Sequence, residues 1–213
     1  MPKVLSDDEI RCFRNRICDH ALASFAKHGV DGISLRGLAA DLSCSRTTPY
    51  RYFKNKADIL AALRQREFGR IADALEAALL HELNPSKQLE TLCSAYFQFA
   101  IENPDSYRVM YTVAQPDPSQ YGELEAEILR SSEPMRRIVN NGLAAGSMLG
   151  DPINICYVLW AGLHGLISLH LAHLLGNKRE IDELAAVMIR SLVRAVSAES
   201  SELVATDRIN KPY

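Results

Sequence analysis

The chain has 213 residues, of which 47% are apolar and 23% charged, an ordinary balance for a soluble globular protein with one large domain or two small ones. Its net charge of −2 excludes a uniformly basic molecule, but residues 1–60 hold ten Lys/Arg against seven Asp/Glu, and residues 61–213 hold fourteen against nineteen. A mildly positive N-terminal segment on an acidic body suits a small nucleic-acid-binding module joined to a larger partner domain.

Ser6-Asp7-Asp8-Glu9 has the pattern of a capping box and opens a first helix that runs to about Lys27. Ile10, Phe13, Ile17, Ala21 and Phe25 recur every three or four residues and give it one apolar stripe. His28-Gly29 closes it. Ser34 caps a short second helix over Leu35 to Leu42, Ser43-Cys44 is a tight connection, and Ser45 caps a predicted third helix from Arg46 to Phe53, with Pro49 in its first turn. Asn55, with Asp58 three residues on, caps a fourth helix that reaches about Leu80 through Leu60, Leu63, Phe68, Ile71, Leu75 and Leu79. After Asn84-Pro85, helices are predicted at 86–101, 104–114, 121–145 (broken or kinked at Pro134), 152–175 and 179–198, with a loop at Gln115 to Ser119 and a polar tail. No stretch alternates with period two for long enough to argue for a strand.

Ile155 to Leu175 carries no formal charge over 21 residues, a length that could span a bilayer. It contains His164, His170 and His173 and has no Lys/Arg cluster beside its start, so it reads as a helix buried on nearly all sides of a bundle, with no membrane. The first residues, Met1 to Asp8, lack the apolar core of a signal peptide. Cys12, Cys18, Cys44, Cys93 and Cys156 are odd in number and form no C-x-x-C pair, so buried, reduced thiols of a cytoplasmic protein are expected.

The chemistry concentrates at residues 34–53. Two capped helices of about two turns, joined by about three residues, are the layout of a helix-turn-helix. Leu35, Leu38, Leu42, Cys44 and Phe53 supply its small core, and Ala39 lets the two helices approach. Arg46, Thr47, Thr48, Tyr50 and Arg51 are left pointing outward, where the start of such a helix meets base edges in a major groove. Arg46 suits a bidentate contact with guanine, or else a phosphate. Ser34 and Lys56 suit phosphate at helix N-termini. No nucleophile elbow, phosphate-binding loop or dinucleotide fingerprint is present, so no enzyme, cofactor or metal is expected. His164 lies one turn from Trp160 and reads either as a core histidine or as part of a ligand pocket, and the spacing of His164, His170 and His173 is not that of a metal pair.

The stretch from Ile10 to Leu60 resembles the tetracycline-repressor (TetR-like) family of bacterial regulators, most specifically in Thr48-Pro49-Tyr50-Arg51-Tyr52-Phe53-Lys54-Asn55-Lys56 and the continuation Ala57-Asp58-Ile59-Leu60. Asn103-Pro104-Asp105-Ser106-Tyr107-Arg108-Val109-Met110-Tyr111 and Trp160-Ala161-Gly162-Leu163-His164-Gly165 are similar to the Trp-His-Gly subgroup of its C-terminal domains. Gly37 and Ser43 depart from the family pattern, standing where a charged residue and a turn glycine are frequent.

The resemblance implies an all-α fold, with a three-helix DNA-binding domain at 1–55, a long helix leading into a helical regulatory and dimerisation bundle at 56–200, and a polar tail at 201–213. It implies a homodimer on a roughly palindromic operator in double-stranded DNA, released by a small-molecule effector; the alternative is a DNA-binding protein whose body serves only dimerisation or partner contact. The implied DNA contacts are Ser34, Arg36, Ser45, Arg46, Thr47, Thr48, Tyr50, Arg51, Tyr52, Lys54 and Lys56. The implied ligand contacts are Tyr107, Tyr111, Trp160 and His164.

Overall fold

A computed structural model of the chain describes residues 6–79, 84–111, 116–175 and 178–198. The expected tail at 201–213, the last residues of the 104–114 helix and Gln115 of the expected loop lie outside the described residues. Among the described residues the regular elements are eight α-helices: α1 (Asp7–His28), α2 (Leu35–Asp41), α3 (Lys56–Ala78), α4 (Pro85–Glu102), α5 (Pro104–Tyr111), α6 (Gly122–Ala144), α7 (Pro152–Leu171) and α8 (Lys178–Val196). An isolated antiparallel bridge between Met148 and Ser197 is the β-type pairing found among them. The chain forms two compact units, Met1–Arg70 with Asn103–Ile128, and Ile71–Glu102 with Leu129–Tyr213, whose boundaries fall inside α3 and α6.

Local chemistry sets the helix ends of the first unit. The Glu9 N–H donates to Ser6 Oγ at 3.2 Å while the Ser6 N–H donates to Glu9 Oε2 at 2.8 Å, so both halves of the capping box form. Gly29 takes φ +64°, and its N–H closes α1 on the Phe25 carbonyl at 2.8 Å. The Gly37 N–H donates to Ser34 Oγ at 3.1 Å and caps α2. At the other end of α2, Ser43 takes φ +51°, its N–H bonds the Ala40 carbonyl, and the Cys44 N–H bonds the Ala39 carbonyl, both at 3.0 Å. These two bonds are a Schellman motif whose left-handed position holds serine rather than glycine.

The core of this unit is built from Ile17, Cys18, Ala21 and Phe25 of α1, Leu35, Leu38 and Leu42 around α2, Phe53, Ile59, Leu60 and Leu63 around α3, and Val109 of α5. Cys44 packs against it half-buried. A charged network sits on α3: the Glu67 carboxylate is fully buried and paired with Arg66 at 2.9 Å and Arg70 at 2.6 Å. Arg66 continues to Asp19 of α1 at 2.6 Å, and Arg70 to Asn103 at 2.8 Å and Ser106 at 3.2 Å. A buried carboxylate is tolerable only when paired and hydrogen-bonded, and here two guanidiniums share it.

In the second unit α4, α7 and α8 pack on one another. Their inner faces carry Leu89, Leu92, Cys93 and Tyr96, then Ile155, Leu159, Leu163, Leu166 and Ile167, then Ile181, Ala185, Ile189, Val193 and Val196, each set at helical spacing. At Gly162 the approach of α7 to α8 is close enough that a Cβ would lie 2.8 Å from Leu192 Cδ1. α6 runs through Pro134 as one continuous helix, so of the break or kink expected there the break does not occur. Proline there removes a single N–H, and Arg130 one turn earlier is held by Asp73 and Glu76 at 2.5 and 2.7 Å.

The expectation that the uncharged helix is buried on nearly all sides is corrected. α7 is long and apolar enough to cross a membrane by length and composition, yet only 28% of its most apolar window is buried. Ile153, Tyr157, Val158, Trp160 and Leu169 are exposed within the chain because one face alone meets α4 and α8. All five cysteines are free thiols, but Cys12 is exposed, contrary to expectation, since it falls off the apolar stripe of α1. Burial pushes the Cys18 thiol up to about 11 and the Cys93 thiol up to about 12.

Candidate nucleic-acid interface

The segment after α2 is the least regular part of the head and carries the most exposed polar chemistry. It is not the α-helix expected over Arg46 to Phe53. A single 3-10 turn, Pro49–Arg51, is its only regular element. The Thr48 N–H bonds the Ser45 carbonyl at 2.9 Å, Arg51 bonds Thr48 at 3.1 Å and Tyr52 bonds Pro49 at 3.0 Å, all with three-residue spacing. Pro49 has no N–H to donate back to Ser45, so the first α-type bond is missing and the turn tightens. Ser45 does not cap a helix as expected: the turn has no side-chain cap bond, and the Ser45 hydroxyl instead lies 3.0 Å from Thr47 Oγ1 and 2.8 Å from Thr48 Oγ1.

Two anchors hold this turn to the head. Pro49 and Phe53 are buried, and the Tyr52 ring packs on Phe13 of α1 with centroids 4.7 Å apart. Arg14 donates from Nη1 to the Tyr52 carbonyl at 2.9 Å and stacks its guanidinium 4.4 Å from the centre of the Phe53 ring. Arg14 was not singled out from the sequence, because a partner 38 residues away leaves no local spacing signal.

Around these anchors, Ser45, Arg46, Thr47, Tyr50 and Arg51 are exposed, Tyr50 to 54% of its surface, and Thr48 is half-buried. Ser34 and Arg36 at the start of α2 are also exposed, as is Lys54. Tyr52 differs from Tyr50 in being half-buried against the core. Lys56, at the first position of α3, lies 3.8 Å from Asp31. That start is fixed by the Asn55 side chain, which accepts the Asp58 N–H at 2.9 Å, while the Asp58 carboxylate accepts the Lys54 N–H at 2.9 Å and the Tyr121 hydroxyl at 3.2 Å. Residues 34–56 contain five Lys/Arg against one Asp, so the exposed strip is positive on a chain that is net negative. A positive strip with hydroxyls and one exposed aromatic, presented beside two capped helix starts, fits phosphate contacts around a short base-reading segment.

The four expected ligand residues fall in two places. Tyr107 and Tyr111 lie in the first unit, Tyr107 fully buried and Tyr111 half-buried, with ring centroids 4.9 Å apart. Trp160 and His164 lie in the second, with ring centroids 5.4 Å apart, and the Trp160 Nε1–H donates to the Tyr96 hydroxyl at 3.0 Å. Burial lowers the His164 pKa below its ordinary value. Among the described residues no cluster of three His, Cys, Asp or Glu side chains is arranged to hold a metal.

Comparison with known proteins agrees with this geometry. A family model described as "Bacterial regulatory proteins, tetR family" matches residues 17–63, and one described as "Tetracyclin repressor-like, C-terminal domain" matches residues 89–192. The HTH-type transcriptional repressor KstR of Mycolicibacterium smegmatis is 31% identical over 106 residues, which take in 47% of this chain and 52% of the relative, so the chain spans about half the length of that protein. The HTH-type transcriptional regulator Rv1816 of Mycobacterium tuberculosis is 23% identical over 179 residues, 68% of this chain and 74% of the relative. The solved structure of a protein of unknown function from Rhodococcus sp. RHA1 superimposes with a TM-score of 0.76 at 27% identity, covering 92% of this chain and 99% of that one. With the N-terminal and C-terminal models of one family together taking in well over half of its length, this chain belongs to the tetracycline-repressor (TetR) family of bacterial DNA-binding regulatory proteins.

Proposed function

We propose that the chain is a repressor that holds a roughly two-fold symmetric operator as a homodimer and lets it go when a small molecule binds the body. The observation that carries the DNA half of this reading is the exposed turn between two anchors: Arg46, Thr47, Tyr50 and Arg51 face outward while Pro49, Tyr52 and Phe53 tie the backbone to the core. In this reading Arg46, Thr47 and Thr48 meet base edges, and Ser34, Arg36, Ser45, Tyr50, Arg51, Lys54 and Lys56 take phosphates. Tyr52 supports the turn through its ring. Functionally the chain divides into a reading head at 1–55, a regulatory and dimerising body at 56–200, and a tail at 201–213.

The dimer reading rests on a face of the second unit. Tyr157, Val158 and Leu169 of α7 and Leu184 and Val187 of α8 are large apolar side chains exposed within one chain. A second copy, bringing the same two helices, covers them in a four-helix contact. The same cover accounts for the uncharged length of α7 without a membrane and suits a cytoplasmic protein. The ligand half rests on the aromatic pair of buried Tyr107 and half-buried Tyr111 and on the Trp160–His164 pair, whose Trp160, His164 and Gly165 are also what likens the body to the Trp-His-Gly subgroup. An effector that prefers the arrangement of the dimer unable to bind DNA lowers operator affinity by its differential affinity for the two arrangements. No cofactor, metal or catalysis enters this reading.

Selection of bound duplexes from a random pool tests the first half: the retained sequences converge on a two-fold symmetric site, and equal affinity for all duplexes overturns the reading. Small molecules released from the purified protein, identified by mass spectrometry and added back to the operator complex, test the second half.

A further inference from the structure

Three arginines follow one another along α3, and they are treated differently. Arg66 and Arg70 share the buried Glu67 carboxylate. Arg64 is further inside than either, with 6% of its surface exposed, and no carboxylate lies within 4 Å of it among the described residues. Its Nη1 donates to the Pro116 carbonyl over a long 3.3 Å, and its Nε is buried with no hydrogen-bond partner among the described residues. Its guanidinium carbon lies 5.8 Å from the centre of the Phe68 ring, one turn along α3. Phe68 meets Tyr111 edge-on at 5.6 Å, and Tyr111 meets Tyr107 at 4.9 Å. Burial pulls the pKa of Arg64 down, with Tyr111 opposing, yet a guanidinium stays charged at neutral pH. A buried cation with an idle N–H is costly to keep, and most such groups are paired.

We propose that Arg64 is the receptor for a carboxylate on a small, largely apolar molecule, whose two oxygens take the Nε and Nη2 N–H groups of the guanidinium as a fork while its body lies against Phe68 and Tyr111. This deepens the effector reading above and rests on it. The charge count selects the class. One guanidinium balances a carboxylate, whereas a phosphate monoester would leave an excess negative charge unbalanced, since Arg66 and Arg70 on the same helix are already engaged by Glu67. The planar fork of arginine matches two carboxylate oxygens in geometry, and a neighbouring aromatic edge accepts an apolar body. Arg64 lies two turns from Lys56 on the same helix, so occupancy acts on the element that begins at the DNA-binding strip.

Calorimetry on the full chain with acetate, octanoate and benzoate, and with octan-1-ol and octyl phosphate as comparisons, tests the site. At least one of the carboxylates with an apolar body binds with one equivalent per chain, more tightly than acetate and than either comparison. Arg64→Met lowers that affinity on the order of tenfold to a hundredfold, as expected for loss of a charge-assisted fork. Arg64→Lys keeps the charge but not the fork, and also loses affinity. Without ligand, Arg64→Met melts no lower than the parent, because it removes an unpaired buried charge, whereas a purely structural Arg64 would make it melt lower. Absence of binding by all three carboxylates, tighter binding of octyl phosphate than of octanoate, or undiminished binding in both Arg64 variants overturns the proposal. Operator affinity is measured separately: a carboxylate that binds through Arg64 and leaves operator affinity unchanged supports the site and sinks the effector reading instead.

Discussion

Arg14 of α1 donates from Nη1 to the backbone carbonyl of Tyr52 at 2.9 Å, pinning the end of the turn that carries the proposed DNA contacts to the first helix. The turn has one short 3-10 segment and cannot hold itself by helical hydrogen bonding, so its geometry depends on such outside anchors. Arg14→Leu should destabilise the head by about 1–3 kcal/mol, the usual cost of losing a hydrogen bond from a charged donor. Chemical denaturation followed by circular dichroism measures it. Operator affinity should fall as well, although Arg14 is not among the proposed DNA contacts. Unchanged stability would show that Pro49, Tyr52 and Phe53 suffice.

Arg46→Ala and Lys56→Ala should fail in different ways. Arg46 is exposed at the leading edge of the turn, and losing a bidentate base contact there should cost roughly 1–3 kcal/mol and relax preference at one operator position. Lys56 sits at the start of α3 beside Asp31, where phosphate is the expected partner. Its loss should weaken all duplexes about equally and make the salt slope shallower by about one unit per half-site. Fluorescence anisotropy on the operator and on single-base variants, at several salt concentrations, separates the two. Equal weakening of every duplex by Arg46→Ala would assign Arg46 to phosphate.

Ser43→Gly should stabilise the head. Ser43 is held at φ +51°, in the left-handed position of the Schellman motif that ends α2. A side chain there costs on the order of 1–2 kcal/mol, of which glycine gives back part through its greater freedom when unfolded, leaving a net gain of about 0.5–1 kcal/mol. A rise in melting temperature with unchanged operator affinity is the expected result, and a fall would mean that the serine hydroxyl has a partner that matters more than the backbone.

Leu184→Glu combined with Val187→Glu should give a folded monomer. Both side chains are exposed on α8 within one chain, at 40% and 51%, so the change adds no buried charge to the isolated subunit. In a dimer of at least about 1,000 Å² of buried surface it would bring like charges together across a symmetry axis. Sedimentation at micromolar concentration, with far-ultraviolet circular dichroism to check helicity, decides it. A dimer that survives both substitutions would place the interface elsewhere.

The sequence by itself determined the helices and their ends. Capping boxes, the Ser34 cap and three-to-four spacing act over one or two turns, and they place α1, α2 and α3 within a residue or two of where they lie. It also marked where the DNA contacts are proposed, because Ser45 to Lys56 concentrates cations and hydroxyls between two capped starts. The tertiary structure decided what depends on distant partners. It made the segment after α2 a 3-10 turn held by Arg14, because Pro49 removes a local bond and a contact 38 residues away replaces the support. It divided the apolar positions of α8 into an inner row at Ile181, Ala185, Ile189 and Val193 and an outer pair at Leu184 and Val187, a choice that spacing cannot make when several faces are apolar. It also gave Arg66 and Arg70 a shared carboxylate and gave Arg64 none among the described residues, since burial and pairing of a charge are properties of the surroundings and not of the residue.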